Sequence, residues 1–324
     1  MELQTARLVA ALAPTQVVTY RERQADQPFL ADLLRAESRG GADAADPLWI
    51  VSWGFDVPKL LRRLRGRAVA YHAHSSGYGF DLPPGVPVLA VSRNTLGYWG
   101  DRAPRNPLFL VPNALEPQWL ARGDRNGAAG RPIDVLVQQR KCSTYVLQRL
   151  VPALRARGLR VQVQSGWVDD LVDLFNSAAV VLYDSADYWR GRGVSEGFGL
   201  PPLEAMACGC VVFSSLNHAL ADGLDPGLVG HQLGLGSLSA DVERIAAAVA
   251  NPSHWQVEAT ALQQLLGQLA EASLQERWKR ALAAINAHWD RLLIEGEAPL
   301  RSPSPAQVRL TLWRQKLARL LPRP

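Results

Sequence analysis

The stretch SEGFGLPPLEAMACG, residues 195–209, sets two glutamates, Glu196 and Glu204, on either side of a glycine- and proline-rich turn. Proline is favoured in the first turn of a helix and glycine just past its end, so the pattern predicts a short helix over Leu203–Cys208. The run Cys210–Phe213 predicts a buried strand directly after it. A helix N-terminus behind a glycine loop offers free N–H groups and partial positive charge, which predicts a diphosphate site flanked by two carboxylates.

This stretch closely resembles the donor-site motif of retaining GT-B glycosyltransferases, in particular glycosyltransferase family 4, written E-G-F-G-L-P-x-x-E-A-M-A-C-G. The match is nearly continuous from residue 196 to residue 209. The resemblance implies that Glu204 binds the ribose hydroxyls of a nucleotide. It implies contacts with the donor sugar and its phosphates for Glu196, Gly197, Phe198, Gly199 and Leu200. The alternative is a capped surface helix with two solvated glutamates, but capping requires neither the glutamate spacing nor the G-F-G-L run.

Short apolar runs alternate with helical patterns through the second half of the chain, which is typical of a parallel, doubly wound sheet. Ligands of such sheets lie at the carboxyl ends of the strands, and the motif follows one of those ends. The chain is then predicted to be helical from about residue 241 to residue 294. The predicted strands are 134–137, 160–164, 180–183 and 210–214, and the predicted helices between them are 144–157 and 168–177.

The first half of the chain shows the same alternation of short apolar runs and helical patterns. It adds two further resemblances to the same family, in VLAVSR (88–93) and LVPNAL (110–115). The glycine-rich polar segment 121–131 predicts a linker. The resemblance then covers about residues 1 to 250. The predicted strands are 16–20, 48–51, 68–71, 88–91 and 108–111, with a helix over 57–64.

These patterns predict an α/β protein of GT-B architecture, with two Rossmann-like, doubly wound parallel-sheet domains that face a cleft. The predicted units are an N-terminal acceptor domain over 1–120, the linker 121–131, a donor domain with a helical extension over 132–295, and a basic helical tail over 296–324. Members of the family open with a strand and a Gly-Gly loop, whereas residues 1–12 already form a helix pattern, so the N-terminal domain is expected to be shortened. An upstream in-frame extension of about 15 to 25 residues would restore that strand and loop.

A nucleotide-sugar diphosphate needs cationic partners, and the family supplies an arginine and a lysine after the first strand of its second domain. Arg140 and Lys141 stand at this position and are expected to hold the phosphates. A solvated basic loop is the alternative. Arg192, shortly before the motif, is a further candidate that either pairs with Glu196 or reaches phosphate.

The first domain contributes a histidine in the family, and it faces the donor sugar across the cleft. His74, followed by two serines, matches this position best, and His72 is the alternative. A His-x-His pair also fits a metal site, but no third ligand has recognisable spacing, so no metal is predicted. Asn113, within the second of the two further resemblances, completes the candidate set.

Charge is concentrated at the C-terminus. The net charge is +5, and residues 301–324 hold six basic side chains and no acid, so the rest of the chain is near −1 by subtraction (5 − 6). That balance argues against a general nucleic-acid surface. Three cysteines and no apolar run near the roughly 20 residues of a membrane span predict a cytoplasmic protein. The tail has two interpretations: its apolar face packs on the first domain, which we favour, or it contacts the inner face of a membrane peripherally.

The sequence therefore predicts a retaining hexosyltransferase of polysaccharide biosynthesis, which transfers a hexose from a nucleoside-diphosphate sugar to a hydroxyl acceptor. The resemblance assigns catalytic roles to Glu196 and His74 and implies no metal or other cofactor. A lipid-linked acceptor or a growing glycan would suit this chemistry. Because the opening strand and glycine loop are missing from the pattern, a non-catalytic protein that binds nucleotide sugars or serves in assembly is the second hypothesis.

Overall fold

Two parallel sheets organise the computed structural model, which describes residues 2–38, 47–126, 130–256, 258–296 and 305–320. The first sheet has the strand order β1-β2-β3-β4, and the second has the order β6-β5-β7-β8-β9. The strands are β1 Trp49–Ser52, β2 Val69–Ala73, β3 Val88–Ala90, β4 Leu108–Leu110, β5 Ile133–Gln138, β6 Val161–Gln164, β7 Ala178–Tyr183, β8 Val211–Ser214 and β9 His231–Gln232.

Helices cover both faces of each sheet. In the first half they are α1 Glu2–Ala10, α2 Leu30–Ser38, α3 Val57–Arg63, α4 Arg93–Arg102 and α5 Pro117–Arg122. In the second half they are α6 Val151–Ala156, α7 Leu171–Asn176, α8 Ala186–Arg190, α9 Leu200–Ala207, α10 Leu220–Gly223, α11 Leu238–Ala250, α12 Pro252–Trp255, α13 Ala259–Gln268, α14 Glu271–Leu293 and α15 Pro305–Leu320.

The second sheet reverses its direction of winding between β5 and β7. The strand that follows β5 in the chain lies on one side of it, and the next strand lies on the other. In doubly wound sheets, ligands bind at this switch point, outside the carboxyl ends of the strands. Residues 139–143 and 184–190 begin there, so the order of strands alone places them beside one another.

Two sequence predictions of local structure need correction. The segment 16–20 forms no strand, because Thr19 pairs only with Phe29 in an isolated bridge while neighbouring backbone groups bond within the local loop. The predicted helix 144–157 begins with a π-helical turn, Val146–Leu150, before α6. Pro152 lacks the N–H that an α-helix would need at that position, which favours the wider turn.

The long helix α14 returns to the first sheet after the second sheet is complete. Trp278 and Ile285 are buried against α1 and the strands β2 and β3. Farther along α14, the Trp289 indole N–H donates to the Val69 carbonyl oxygen at 3.2 Å. One face of the first sheet is thus covered by the chain's own C-terminal half.

The apolar side chains that the structure describes in the basic tail are exposed. Within α15, Val308, Leu310, Leu312 and Trp313 are all exposed, so the favoured packing interpretation is wrong for them. The face of the first sheet that such a helix could cover is occupied by α14. Residues 301–304 and 321–324 of the tail, and 127–129 of the predicted linker, lie outside the described residues. Among the described helices, none combines the length and the hydropathy that crossing a bilayer requires.

Candidate active site in the cleft between the sheets

The loop that leads into α9 presents a row of backbone donors. Gly199 precedes the helix with φ of +81°, a left-handed conformation that suits glycine, and no side chain caps the helix. The N–H groups of residues 197–200 have no protein acceptor among the described residues. Pro201 and Pro202 have no N–H, so these four groups and the helix dipole supply the attraction for an anion.

Glu196 is buried at the start of this row and is held by two aromatic donors. The Tyr183 hydroxyl and the Trp189 indole N–H both donate to its Oε2 at 2.7 Å. The Lys141 Nζ lies 3.7 Å from its Oε1. Because Tyr183 ends β7 and Lys141 follows β5, the carboxylate faces the switch point of the second sheet.

The two predicted phosphate cations differ in their surroundings. Lys141 has a φ of +67° and places its ammonium 4.5 Å from the centre of the Trp189 ring. Burial lowers the pKa of Lys141, while the charge of Glu196 opposes that shift. Arg140 is exposed and makes no ion pair within the described part of the chain. Lys141 is therefore fixed beside the site, and Arg140 keeps its fork of donors free.

Glu204 lies one turn into α9 and is half-buried. No hydrogen-bond donor reaches its carboxylate from the described residues. Burial, and secondarily the charge of Glu116, raise the pKa of Glu204 to about 8. An acceptor without a donor at this position suits a ligand that brings its own hydroxyl groups.

The first sheet contributes His74, just beyond the end of β2. Its Nε2 lies 3.0 Å from the Ser52 Oγ, and its ring stacks on Trp53. Burial lowers the pKa of His74 to about 4, so the ring is neutral near pH 7. His72 lies behind it, between His74 and Trp278, and its Nε2 is buried without a partner. The described residues contain no group of three His, Cys, Asp or Glu side chains arranged as metal ligands.

The two units touch through the loops that follow β2 and precede α9. A Cβ on Gly197 would lie 1.6 Å from the His74 carbonyl oxygen, so only glycine permits this approach. Beside it, the Ser75 Oγ donates to the Ser195 carbonyl oxygen at 2.7 Å, and the Ser76 Oγ donates to the Ser195 Oγ at 2.7 Å. We call Ser75, Ser76 and Ser195 the serine clasp. The clasp holds His74 against the glycine loop.

The two remaining candidates take other positions. Arg192 lies 3.6 Å above the centre of the Tyr188 ring and donates to the Tyr188 carbonyl oxygen, so it does not pair with Glu196. The carboxylate of Glu196 is already occupied by its aromatic donors and Lys141. Asn113 is buried after β4, and its side chain makes no hydrogen bond among the described residues.

Sequence reasoning missed two features that shape the site. It assigned no role to His218, and it did not foresee the serine clasp. The Glu196 N–H donates to the His218 Nδ1 at 3.2 Å, and the Ala219 N–H donates to the Glu196 carbonyl oxygen. The position of His218, four residues after the predicted strand 210–214, was the available signal, since the loops at strand ends surround ligands in such sheets. The serine clasp had no comparable signal.

Comparison with known proteins supports the class of protein that the sequence motif resembles, the glycosyltransferases. Residues 143–251, which include the glycine loop and α9, match the family model described as glycosyl transferases group 1. No curated protein is significantly similar to the chain in sequence.

Solved structures of glycosyltransferases share the fold. Sucrose-phosphate synthase from Thermosynechococcus elongatus has a TM-score of 0.56 at 16% identity, covering 80% of this chain and 78% of its own. A glycosyltransferase from Rickettsia africae has a TM-score of 0.56 at 9% sequence identity, and the match covers 89% of this chain and 93% of the Rickettsia chain. HepE from Anabaena, solved with UDP and glucose, has a TM-score of 0.53 at 14% sequence identity. The match covers 85% of this chain and 83% of the HepE chain. The two parallel sheets and these neighbours define the GT-B fold.

Proposed function

We propose that this protein is a retaining glycosyltransferase that transfers a hexose from a nucleoside-diphosphate sugar to a hydroxyl acceptor. The observation that carries the proposal is the row of N–H groups at residues 197–200, which find no acceptor in the described part of the chain. They lie between Lys141 and the carboxylate of Glu204, which has no donor there either. The N–H row with Lys141 matches the diphosphate of a nucleotide sugar, and Glu204 matches its ribose. The presence of UDP and glucose in the HepE structure supports this class of donor.

The diphosphate would bind at the N-terminus of α9. Its negative charge increases as the bond to the sugar breaks, and fixed donors that favour this charge lower the barrier. Lys141 would neutralise one phosphate as a point charge, and the exposed guanidinium of Arg140 would grip the other through two parallel hydrogen bonds. The burial that lowers the pKa of Lys141 also strengthens its attraction to an anion.

The donor sugar would lie between Glu196 and His74. Glu196 cannot rotate away, because Tyr183 and Trp189 hold one of its oxygens, so it would accept sugar hydroxyls in a fixed orientation. A neutral His74 would form a hydrogen bond to the sugar without adding charge beside the diphosphate. Glu204 would accept two hydrogen bonds from the ribose diol.

Retention requires the acceptor to enter on the face from which the diphosphate leaves. The C1–O bond to phosphate breaks, and the acceptor oxygen bonds to C1. The acceptor's proton passes to the leaving phosphate oxygen. In this route no side chain has to act as a dedicated base.

The test begins with a thermal-shift panel of UDP, GDP and ADP sugars, since a ligand that binds only the folded state raises the unfolding temperature. The sugar that raises it most is then offered with glycoside acceptors, and release of nucleoside diphosphate is measured. Proton NMR of the product gives the anomeric configuration. We expect diphosphate release with retention. A nucleotide sugar that stabilises the protein but is never consumed would instead establish the non-catalytic binding function.

A further inference from the structure

Two large aromatic side chains are exposed beside the candidate site, on the side of the first sheet. Trp53 and Phe55 follow β1 and are 53% and 74% exposed. They lie at the carboxyl end of this sheet, next to His74, where ligands of parallel sheets bind. Exposed aromatic side chains that adjoin a site, rather than being scattered singly, mark surfaces that contact a ligand.

The two rings are fixed by their neighbours. The Trp53 ring lies 5.3 Å from the His74 ring at an interplanar angle of 14°, and the Phe55 ring meets Tyr78 edge-on at 5.0 Å. Between them, a Cβ on Gly54 would lie 2.6 Å from the Tyr78 Cε1, so the Tyr78 ring packs closely against that glycine. Trp53, Phe55 and Tyr78 thus lie around Gly54, and we call these three side chains the aromatic platform.

The backbone of Trp53 is strained in order to present this indole. Its φ of +67° lies in the left-handed region, which a bulky residue rarely occupies. Such strain persists where the surrounding structure and the function require it. Glycine would meet the backbone geometry without strain, so the loop's own conformation does not account for a tryptophan here.

We propose that the aromatic platform binds a pyranose ring of the acceptor, which makes the acceptor a carbohydrate. The C–H groups on one face of a pyranose carry partial positive charge, and the π face of an indole carries partial negative charge, so the two stack. One face of Trp53 is covered by His74 and the other is open, which allows one ring to stack there. The proposal rests on the proposed function, because the platform adjoins the histidine that would face the donor sugar.

A lipid surface is the competing occupant, since α3 begins close by and carries Lys59, Arg62 and Arg63. The stacking geometry favours the sugar. A side chain that inserts into a bilayer projects from the protein, whereas the Trp53 indole lies flat on His74, a cleft residue that is only 8% exposed. Lipid binding is therefore an outcome that the test must be able to show.

The experiment measures saturation-transfer NMR from the full chain to cellotriose, maltotriose and chitotriose, without nucleotide. We expect at least one trisaccharide to bind, and Trp53→Gly to weaken its binding at least about tenfold, which corresponds to ~1.4 kcal/mol. Trp53→Phe should keep most of the affinity because it keeps an aromatic face. Trp313→Ala, which removes a more exposed indole from α15, is the matched control and should change nothing.

Trp53→Gly also separates binding from folding. Glycine relieves the left-handed strain but gives up the stacking on His74, so the unfolding transition is recorded beside the binding and should remain cooperative. Absence of saturation transfer to all three sugars overturns the platform, as does equal binding by Trp53→Gly. Loss of binding to anionic phosphatidylglycerol vesicles in Trp53→Gly, without any effect on sugars, overturns it in favour of lipid.

The same variants distinguish this proposal from the proposed function. If trisaccharide binding depends on Trp53 but the protein never releases nucleoside diphosphate, sugar binding by the aromatic platform is supported and the proposed transferase activity is contradicted. Sugar transfer with an acceptor KM that is the same in wild type and Trp53→Gly supports the transferase and defeats the platform.

Discussion

Glu204 is a carboxyl group that folding withdraws from water without giving it a donor. Burial and the charge of Glu116 raise its pKa to about 8, from an ordinary value of 4.5. The folded state therefore holds this proton more tightly than the unfolded state does. Its contribution to stability is complete below the unfolded pKa and is lost as the pH rises through the folded one.

The first prediction at this scale concerns Glu204→Gln. Glutamine keeps the shape but cannot ionise, so the variant avoids the cost of a buried charge at high pH. We expect its unfolding temperature to match the wild type near about pH 5 and to exceed it near about pH 9, as measured by calorimetry across that range. Equal unfolding temperatures at both pH values would show that the carboxyl is well solvated.

The second prediction uses the same group to test ribose binding. An ionised carboxylate accepts two hydroxyl hydrogen bonds more strongly than a protonated one, so affinity for the matching nucleoside diphosphate should increase as the pH rises through about 8. Titration calorimetry of the wild type and Glu204→Gln measures this. The variant should bind about 10-fold or more weakly at high pH, from the 1.5–3 kcal/mol of a charged hydrogen bond. A parallel pH dependence in both proteins would assign the effect to another group.

At the scale of elements, the contact between the loop after β2 and the loop before α9 depends on one missing side chain. Gly197 is buried directly beneath the His74 carbonyl oxygen. The atoms nearest to an added Cβ cannot shift at low energetic cost, because they belong to the backbone. The serine clasp lies beside this point and fixes the same two loops.

We therefore predict that Gly197→Ala separates the loops without unfolding either sheet. Nucleoside-diphosphate release should decrease by about 100-fold or more, since misplacement of a reacting group by about 1 Å has that effect. The unfolding transition should remain cooperative. Gly97→Ala is the matched control, because a Cβ at Gly97 meets nothing within 4 Å, and it should retain full activity. Full activity in both variants would show that catalysis does not need the contact.

Elements whose origin is local were predictable from the sequence. The strands β5 to β8 and the helix α9 were expected within one to three residues, because strand and helix periods, proline and glycine determine them over short distances. The prediction of a strand over 16–20 was wrong, since its two valines are too few to outweigh the backbone hydrogen bonds within their own loop. The row of donors before α9 was readable, but the serine clasp was not, because it joins residues 119 and 120 positions apart.

At the scale of the whole molecule, two C-terminal helices have opposite relations to the rest of the chain. Helix α14 covers the first sheet with buried apolar side chains, whereas the apolar side chains described in α15 are exposed. The cations of residues 301–324 add charge to that exposed surface. Contact of α15 with a membrane remains a prediction.

That prediction is tested by vesicle co-sedimentation. Each cation near an anionic surface contributes about 1 kcal/mol, so the wild type should bind phosphatidylglycerol vesicles in a salt-sensitive way. Deletion of residues 301–324 should abolish the binding, and neutral phosphatidylcholine vesicles should bind neither protein. Equal binding by the wild type and the deletion variant would show that the lipid contact lies elsewhere on the chain.

The last prediction compares the two helices through stability. Trp278 is only 1% exposed and packs on His72 behind the candidate site, so Trp278→Ala leaves a large cavity between α14 and the first sheet. Its free energy of unfolding should decrease by about 3–5 kcal/mol. Deletion of residues 301–324 removes side chains that are exposed where the structure describes them, so the change should stay within about 0.5 kcal/mol. Denaturant titration measures both, and a deletion as destabilising as Trp278→Ala would mean that the tail packs on the protein after all. The expected difference would instead establish α14 as the element that joins the C-terminal half of the chain to the sheet carrying His74, so that weakening this helix loosens one wall of the cleft.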